Sequence, residues 1–140
     1  MSGGGGPELD RFKILVPSPP EFEWTNRDQV AVVDRTKPLT VTWRGVAPDR
    51  HLAIIVMNVD PPTTALGACL CVADPAAGRF VIPASVLRNL PRGEDHPDPP
   101  LNIVEVWSAP IKANLNEFSP RFTTGIAISM YASAKRVQFR

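Results

Sequence analysis

Sixteen prolines among 140 residues, against nine glycines, set the tightest limit on what this chain can become. A proline has no backbone N–H and a fixed φ, so helix interiors and central strands exclude it. Here the prolines recur in "LVPSPP", "TKPL", "DPPTT", "DPAAG", "VIPAS", "NLPRG" and "HPDPPL", and cut the chain into short segments. Long helices are thereby excluded, and what lies between the breaks must be read as strand or turn.

Most of the segments carry strand signals. In "LTVTW", Leu39, Val41 and Trp43 share one face and Thr40 and Thr42 the other, the alternation of a half-buried antiparallel strand with a solvated threonine face. "EFEWT" alternates too, with Phe22 and Trp24 inward and Glu21 and Glu23 outward. "FKILV" (12–16) and "QVAVVD" are short apolar runs. "HLAIIVMNV" (51–59) is β-branched and apolar on both faces, as a central strand is. "LGACLCVA" follows, then the turn "DPAAG", then the strand "RFVIP" ended by Pro83. "ASVLRNL" is the one helical segment, about two turns by its spacing, with Val86, Leu87 and Leu90 packing downward, Ser85 capping and Pro91 terminating it. "LNIVEVWSA", "FTTGIAISMYAS" and "KRVQF" read as strands, and "PIKANLNEFSPR" as irregular. Eight or more short strands with turn signals every 8–12 residues predict an all-β, immunoglobulin-like antiparallel sandwich with one short helix. Residues 1–11, with Gly3 to Gly6, read as a flexible linker and residues 12–140 as a single domain.

The formal net charge is +1, with 15 basic and 14 acidic residues. That balance lacks the basic excess of a nucleic-acid binder, so no nucleic-acid partner is expected. No run approaches the ~20 apolar residues that span a bilayer as a helix. The start "MSGGGGPELD" has neither the basic nor the apolar region of a secretion signal.

Candidate chemistry is sparse. Cys69 and Cys71, the only cysteines, are two apart on an expected strand. Their Cβ atoms then lie roughly 6–7 Å from each other, too far for a bridge. They read as reduced, small buried hydrophobes. "GEDHPD" gathers Glu94, Asp95, His96 and Asp98, oxygen ligands and an imidazole that suit a divalent cation, but without the fixed spacing of a calcium loop. A solvated loop is the expected reading, and no metal or cofactor is assigned. A hydrolytic triad has only His51 and His96 to draw on, and no Gly-x-Ser-x-Gly elbow is present. Of the tryptophans, Trp24 and Trp43 fall in phase with core residues. Trp107 falls in phase with Ile103 and Glu105, which turns it outward as a platform for a ligand unless a bulge intervenes.

The segments "FEWTNRDQVAVVDRTKPLTVTWRG", "CVADPAAGRFVIPASVLRNLP" and "AKRVQFR" resemble an uncharacterised Ig-like β-sandwich region near the C-terminus of secreted soil-bacterial, acidobacterial-type proteins. The resemblance runs from about Phe22 to Arg140. It implies a secreted or cell-surface setting and a modular, non-catalytic role, with the neighbouring domains of a longer chain as partners; it carries no site residues. The chain departs from that pattern in its charged loop "RGEDHPDPP", its closely spaced cysteines and its lack of a signal segment. Three functions are carried forward: a structural or spacer module, a carbohydrate- or protein-binding module that uses Trp107 and the 94–98 loop, and a small hydrolase.

Overall fold

The computed structural model describes residues 2–3, 12–13, 18–60, 65–91, 102–110, 114–116 and 125–140, with backbone alone at residues 2–3, 12–13, 60, 114–116 and 125–127. In chain order the strands are β1 (Ser2–Gly3), β2 (Phe12–Lys13), β3 (Glu23–Trp24), β4 (Val32–Val33), β5 (Leu39–Arg44), β6 (Arg50–Asp60), β7 (Ala65–Ala73), β8 (Arg79–Ile82), β9 (Ile103–Pro110), β10 (Asn114–Asn116), β11 (Gly125–Ala127), β12 (Tyr131–Arg136) and β13 (Gln138–Phe139). Among the described residues the single α-helical turn is α1 (Ala84–Leu87). The protein is all-β.

A four-stranded antiparallel sheet has the order β12-β9-β6-β7, and a three-stranded antiparallel sheet the order β3-β5-β8. β13 runs parallel to β4. Two further antiparallel pairs are β1–β2 and β10–β11. The last corrects the sequence reading: "PIKANLNEFSPR" is not wholly irregular, since Asn114–Asn116 pairs with Gly125–Ala127. "FTTGIAISMYAS" is likewise not one strand but two, β11 and β12.

Both sheets contribute to one buried cluster. Val41, Trp43 and Ile82 come from the three-stranded sheet; Leu52, Ile54, Val56, Val104 and Val106 come from the four-stranded one. Phe22 meets Tyr131 of β12 edge to face, with ring centroids 5.4 Å apart, an arrangement that the quadrupole of each ring favours. Alternation decides which side chains enter. Val41 and Trp43 are buried as "LTVTW" predicts, with Leu39 packed at the margin. Thr40 and Thr42 are half-buried rather than solvated. β5 is the middle strand of its sheet, and Thr42 Oγ1 hydrogen-bonds Thr25 Oγ1 at 2.6 Å.

Asn26 explains why β3 stops after two residues. Its side-chain amide takes over pairing with β5: Nδ2 donates to the Thr40 carbonyl at 2.9 Å, and Oδ1 accepts from Thr42 N and from Trp24 Nε1, each at 2.9 Å. One side chain thus replaces a peptide unit of the ladder and satisfies the indole of a core tryptophan. Asn26→Ala strands three polar groups, and urea melts should show a loss of about 1–3 kcal/mol. An unchanged midpoint would mean that water replaces the amide without cost.

The corner after β8 is shorter than its spacing predicts. Arg88 N bonds the Ala84 carbonyl, an α-type bond, but Asn89 N and Leu90 N reach back only three residues, to Val86 and Leu87. The last turn is tightened because Leu90 precedes Pro91, which biases it out of the helical region. Ser85 does not cap: the helix begins at Ala84, one residue earlier, and Pro83 stands at the N-cap position without a side-chain bond. The packing residues are as expected, with Leu87 and Leu90 in the core and Val86 against it.

Polar groups close the core at both ends of the two central strands. Arg50 is in phase with Leu52, Ile54 and Val56, and is 5 % exposed. Its Nε donates to Ser108 Oγ at 2.6 Å, and its Nη2 donates to the carbonyls of Ser108 and Ser129. At the opposite end Asn58 donates to the Pro91 carbonyl at 2.5 Å, and Asn102 Oδ1 accepts from Val59 N. Gly67 lies beside Asn58 on β7, and a Cβ there would overlap the Pro91 ring, so this strand position needs glycine.

Candidate functional site

The inward parity of the four-stranded sheet is fixed by Leu52, Ile54 and Val56 on β6 and by Val104 and Val106 on β9. Every other residue therefore faces away from the core. On β6 these are Ala53, Ile55, Met57 and Val59. Across the β6–β7 register they meet Val72, Leu70, Ala68 and Leu66 respectively. Across the β6–β9 register Trp107 stands beside Ala53, Glu105 beside Ile55 and Ile103 beside Met57. β12 adds Ala132 beside Trp107, Ala134 beside Glu105 and Arg136 beside Ile103.

The outer face of this sheet is thus almost wholly apolar on its β6 and β7 side, and its charges, Glu105 and Arg136, lie toward β12. Leu66, Leu70 and Val72 are 61 %, 63 % and 62 % exposed. Exposed aliphatic residues are ordinary when scattered. A contiguous group on one rigid sheet is not, and such patches commonly mark contact surfaces.

Of the residues that sequence reasoning singled out, Glu94, Asp95, His96 and Asp98 lie outside the described residues. Trp107 is on the outer face, as strict alternation of β9 places it, and no bulge interrupts its pairing. Its neighbours across both strands are alanines, Ala53 and Ala132. The ring is half-buried, and Nε1 is buried with no hydrogen-bond partner among the described residues. The core tryptophans differ: Trp24 Nε1 donates to Asn26 and Trp43 Nε1 to the Pro75 carbonyl at 2.9 Å. An unpaired buried donor costs about 1–3 kcal/mol. Trp107→Phe, which removes the donor together with the five-membered ring, should therefore change stability by no more than about 1 kcal/mol in thermal melts, relief of the unpaired donor offsetting the lost ring contact. A clear loss would show that the N–H has an acceptor.

Cys69 and Cys71 face inward on β7, opposite Val56 and Ile54. Both are free. They are half-buried against the core rather than fully buried, because β7 is an edge strand. Burial is the first cause that pushes the Cys69 thiol up to about 11 from an ordinary 9.0, with Cys71 adding to it; burial also raises Cys71. The neutral thiol is the form the fold favours. The contribution of the neutral Cys69 thiol to stability is therefore fully present below the ordinary thiol range and is lost as the pH rises toward about 11. At about pH 9, where an unshifted thiol is half ionised, iodoacetamide should label the native protein far more slowly than the urea-unfolded chain. Equal rates would mean that the thiols are not packed against the core.

His51 is exposed at the start of β6. Among the described residues, no three His, Cys, Asp or Glu side chains converge to hold a metal ion. No helix among them is long and apolar enough to cross a membrane. No family model, curated protein or solved structure matches this chain.

Sequence reasoning missed the exposed apolar face and the buried Arg50. The signal for Arg50 was present, since Arg50, Leu52, Ile54, Val56 and Asn58 share one parity. The signal for the face was ambiguous, because a strand apolar on both sides normally reads as buried on both sides.

Proposed function

We propose that this chain is a non-catalytic module of immunoglobulin-like sandwich type, carried by an exported bacterial protein, that holds protein surfaces together through the outer face of its four-stranded sheet. The single observation that carries this reading is the exposed apolar group Leu66, Leu70 and Val72, continuous with Ile55 and Met57 on the neighbouring strand. The strand orders β12-β9-β6-β7 and β3-β5-β8, the helical corner between β8 and β9, and the return of β13 alongside β4 support the sandwich topology. The exported setting rests on the resemblance to secreted soil-bacterial regions. A domain of this kind serves as a spacer and, where its surface is apolar, as a contact point for neighbouring domains.

A sugar platform is the second reading, favoured by the outward ring of Trp107 between two alanines. The buried Nε1 weighs against it, because that donor is out of reach of a sugar hydroxyl. Two measurements separate the readings. Retention on a phenyl matrix should be strong for the parent protein and reduced by Leu70→Lys, and a glycan array should remain blank. Glycan binding that Trp107→Ala abolishes, with phenyl retention indifferent to Leu70→Lys, would overturn the protein-contact reading.

A further inference from the structure

We propose that residues 66–72 of β7 are an open pairing edge, and that two copies of this chain join antiparallel along them about a two-fold axis at Cys69. The inference rests on the reading of this sheet as a contact surface and names the partner.

Edge strands present unpaired N–H and C=O groups, and folded proteins blunt them with charge, proline, shortness or bulges. The other edges of the two sheets are protected in these ways. At β12, the Arg27 guanidinium occupies the Ala134 carbonyl, with Nη2 at 2.8 Å, and Lys135 Nζ reaches back to the Asp28 carbonyl at 3.0 Å. β3 is two residues long. β8 is four residues long, opens with Arg79 and is stopped by Pro83. Among the described residues, positions 66–72 of β7 have none of these devices. The strand is nine residues long, contains no charged residue and no proline, and pairs with β6 in nine consecutive positions without a bulge.

The chemistry of the strand matches itself. With the axis at Cys69, Leu66 lies against the partner's Val72 and Leu70 against the partner's Ala68, and each pairing recurs on the other side of the axis. All four positions have the same parity, so the exposed side chains of both copies fall on one face. No like charges meet, because the strand carries none. Directly opposed residues in an antiparallel pair interact side by side, and the joined sheet has eight strands with one continuous apolar stripe across its middle. A two-fold interface closes on itself, so the assembly stops at two.

Sedimentation equilibrium of the parent protein and of two charge variants tests the proposal. The parent mass should rise from monomer to dimer with concentration and go no further. Leu70→Lys, at a residue already 63 % exposed, should remain a folded monomer. Val81→Lys, at an exposed position on β8, should dimerise as the parent does. Val72→Lys gives an independent second variant, and circular dichroism confirms that each is folded. A parent that stays monomeric throughout, a dimer that survives both β7 variants, or growth beyond two copies would each overturn the proposal. A monomeric parent that keeps its Leu70-dependent phenyl retention would overturn the self-pairing while leaving the contact-face reading intact.

Discussion

Leu87→Asp should leave the domain largely unfolded at room temperature, whereas Arg88→Asp, one residue on, should melt within about 0.5 kcal/mol of the parent. Leu87 has no exposed surface, and Arg88 points to solvent. Removing a buried leucine side chain costs about 2–5 kcal/mol. Placing a carboxylate among the buried apolar side chains of the core adds several kcal/mol. Together these approach the whole stability of a domain, about 5–15 kcal/mol. The site also matters to its own segment. A single helical turn is unstable in water, so α1 persists only while Leu87 and Leu90 dock it on the core. Far-UV circular dichroism and urea melts of the two variants decide the matter. If both melt alike, the corner between β8 and β9 is not docked.

Trp43→Ala should cost about 3–5 kcal/mol, the usual range for a deleted buried aromatic. Trp43 is 4 % exposed and sits at the middle of the three-stranded sheet, where its backbone N donates to the Gly78 carbonyl at 3.0 Å. Its Nε1 also ties the core to the turn that follows β7, through the Pro75 carbonyl. That turn depends on Gly78, at φ 66°, and on Asp74, whose side chain accepts from Ala76 N. Trp43→Phe separates the two contributions: it keeps most of the buried area and removes one hydrogen bond, typically about 1 kcal/mol. A Trp43→Ala loss below about 1 kcal/mol in urea melts would show that Trp43 does not hold the core.

The all-β class and most strands were legible because their signals are local. Period-2 alternation placed Phe22, Trp24, Val41 and Trp43, and proline punctuation placed the ends of β6 and β8. The segment "HLAIIVMNV" is the central strand its composition implies. Pairing that depends on distant residues was not legible. Nothing near Gln138 indicates that it runs parallel to Val32, since the bonds that fix this are contributed by Ala31, Val33 and Arg140. Edge position was hidden for a different reason. "LGACLCVA" is apolar on both faces, and such a strand normally lies inside a sheet covered on both sides; here one face of it is open. Asn26 was equally hidden, because an asparagine after a strand reads as a turn former, not as a surrogate for a peptide unit.

Residue-resolved amide hydrogen exchange along β7 tests the central claim most directly. In dilute protein, amides of residues 66–72 that bond to β6 should exchange slowly, and the alternate amides on the open edge should exchange as fast as those in a loop. Raising the concentration should slow the alternate set and leave the edge of β12 unchanged. Uniformly slow exchange along β7 in dilute protein, or an alternate set that stays fast at every concentration, would contradict an open edge that a second copy completes.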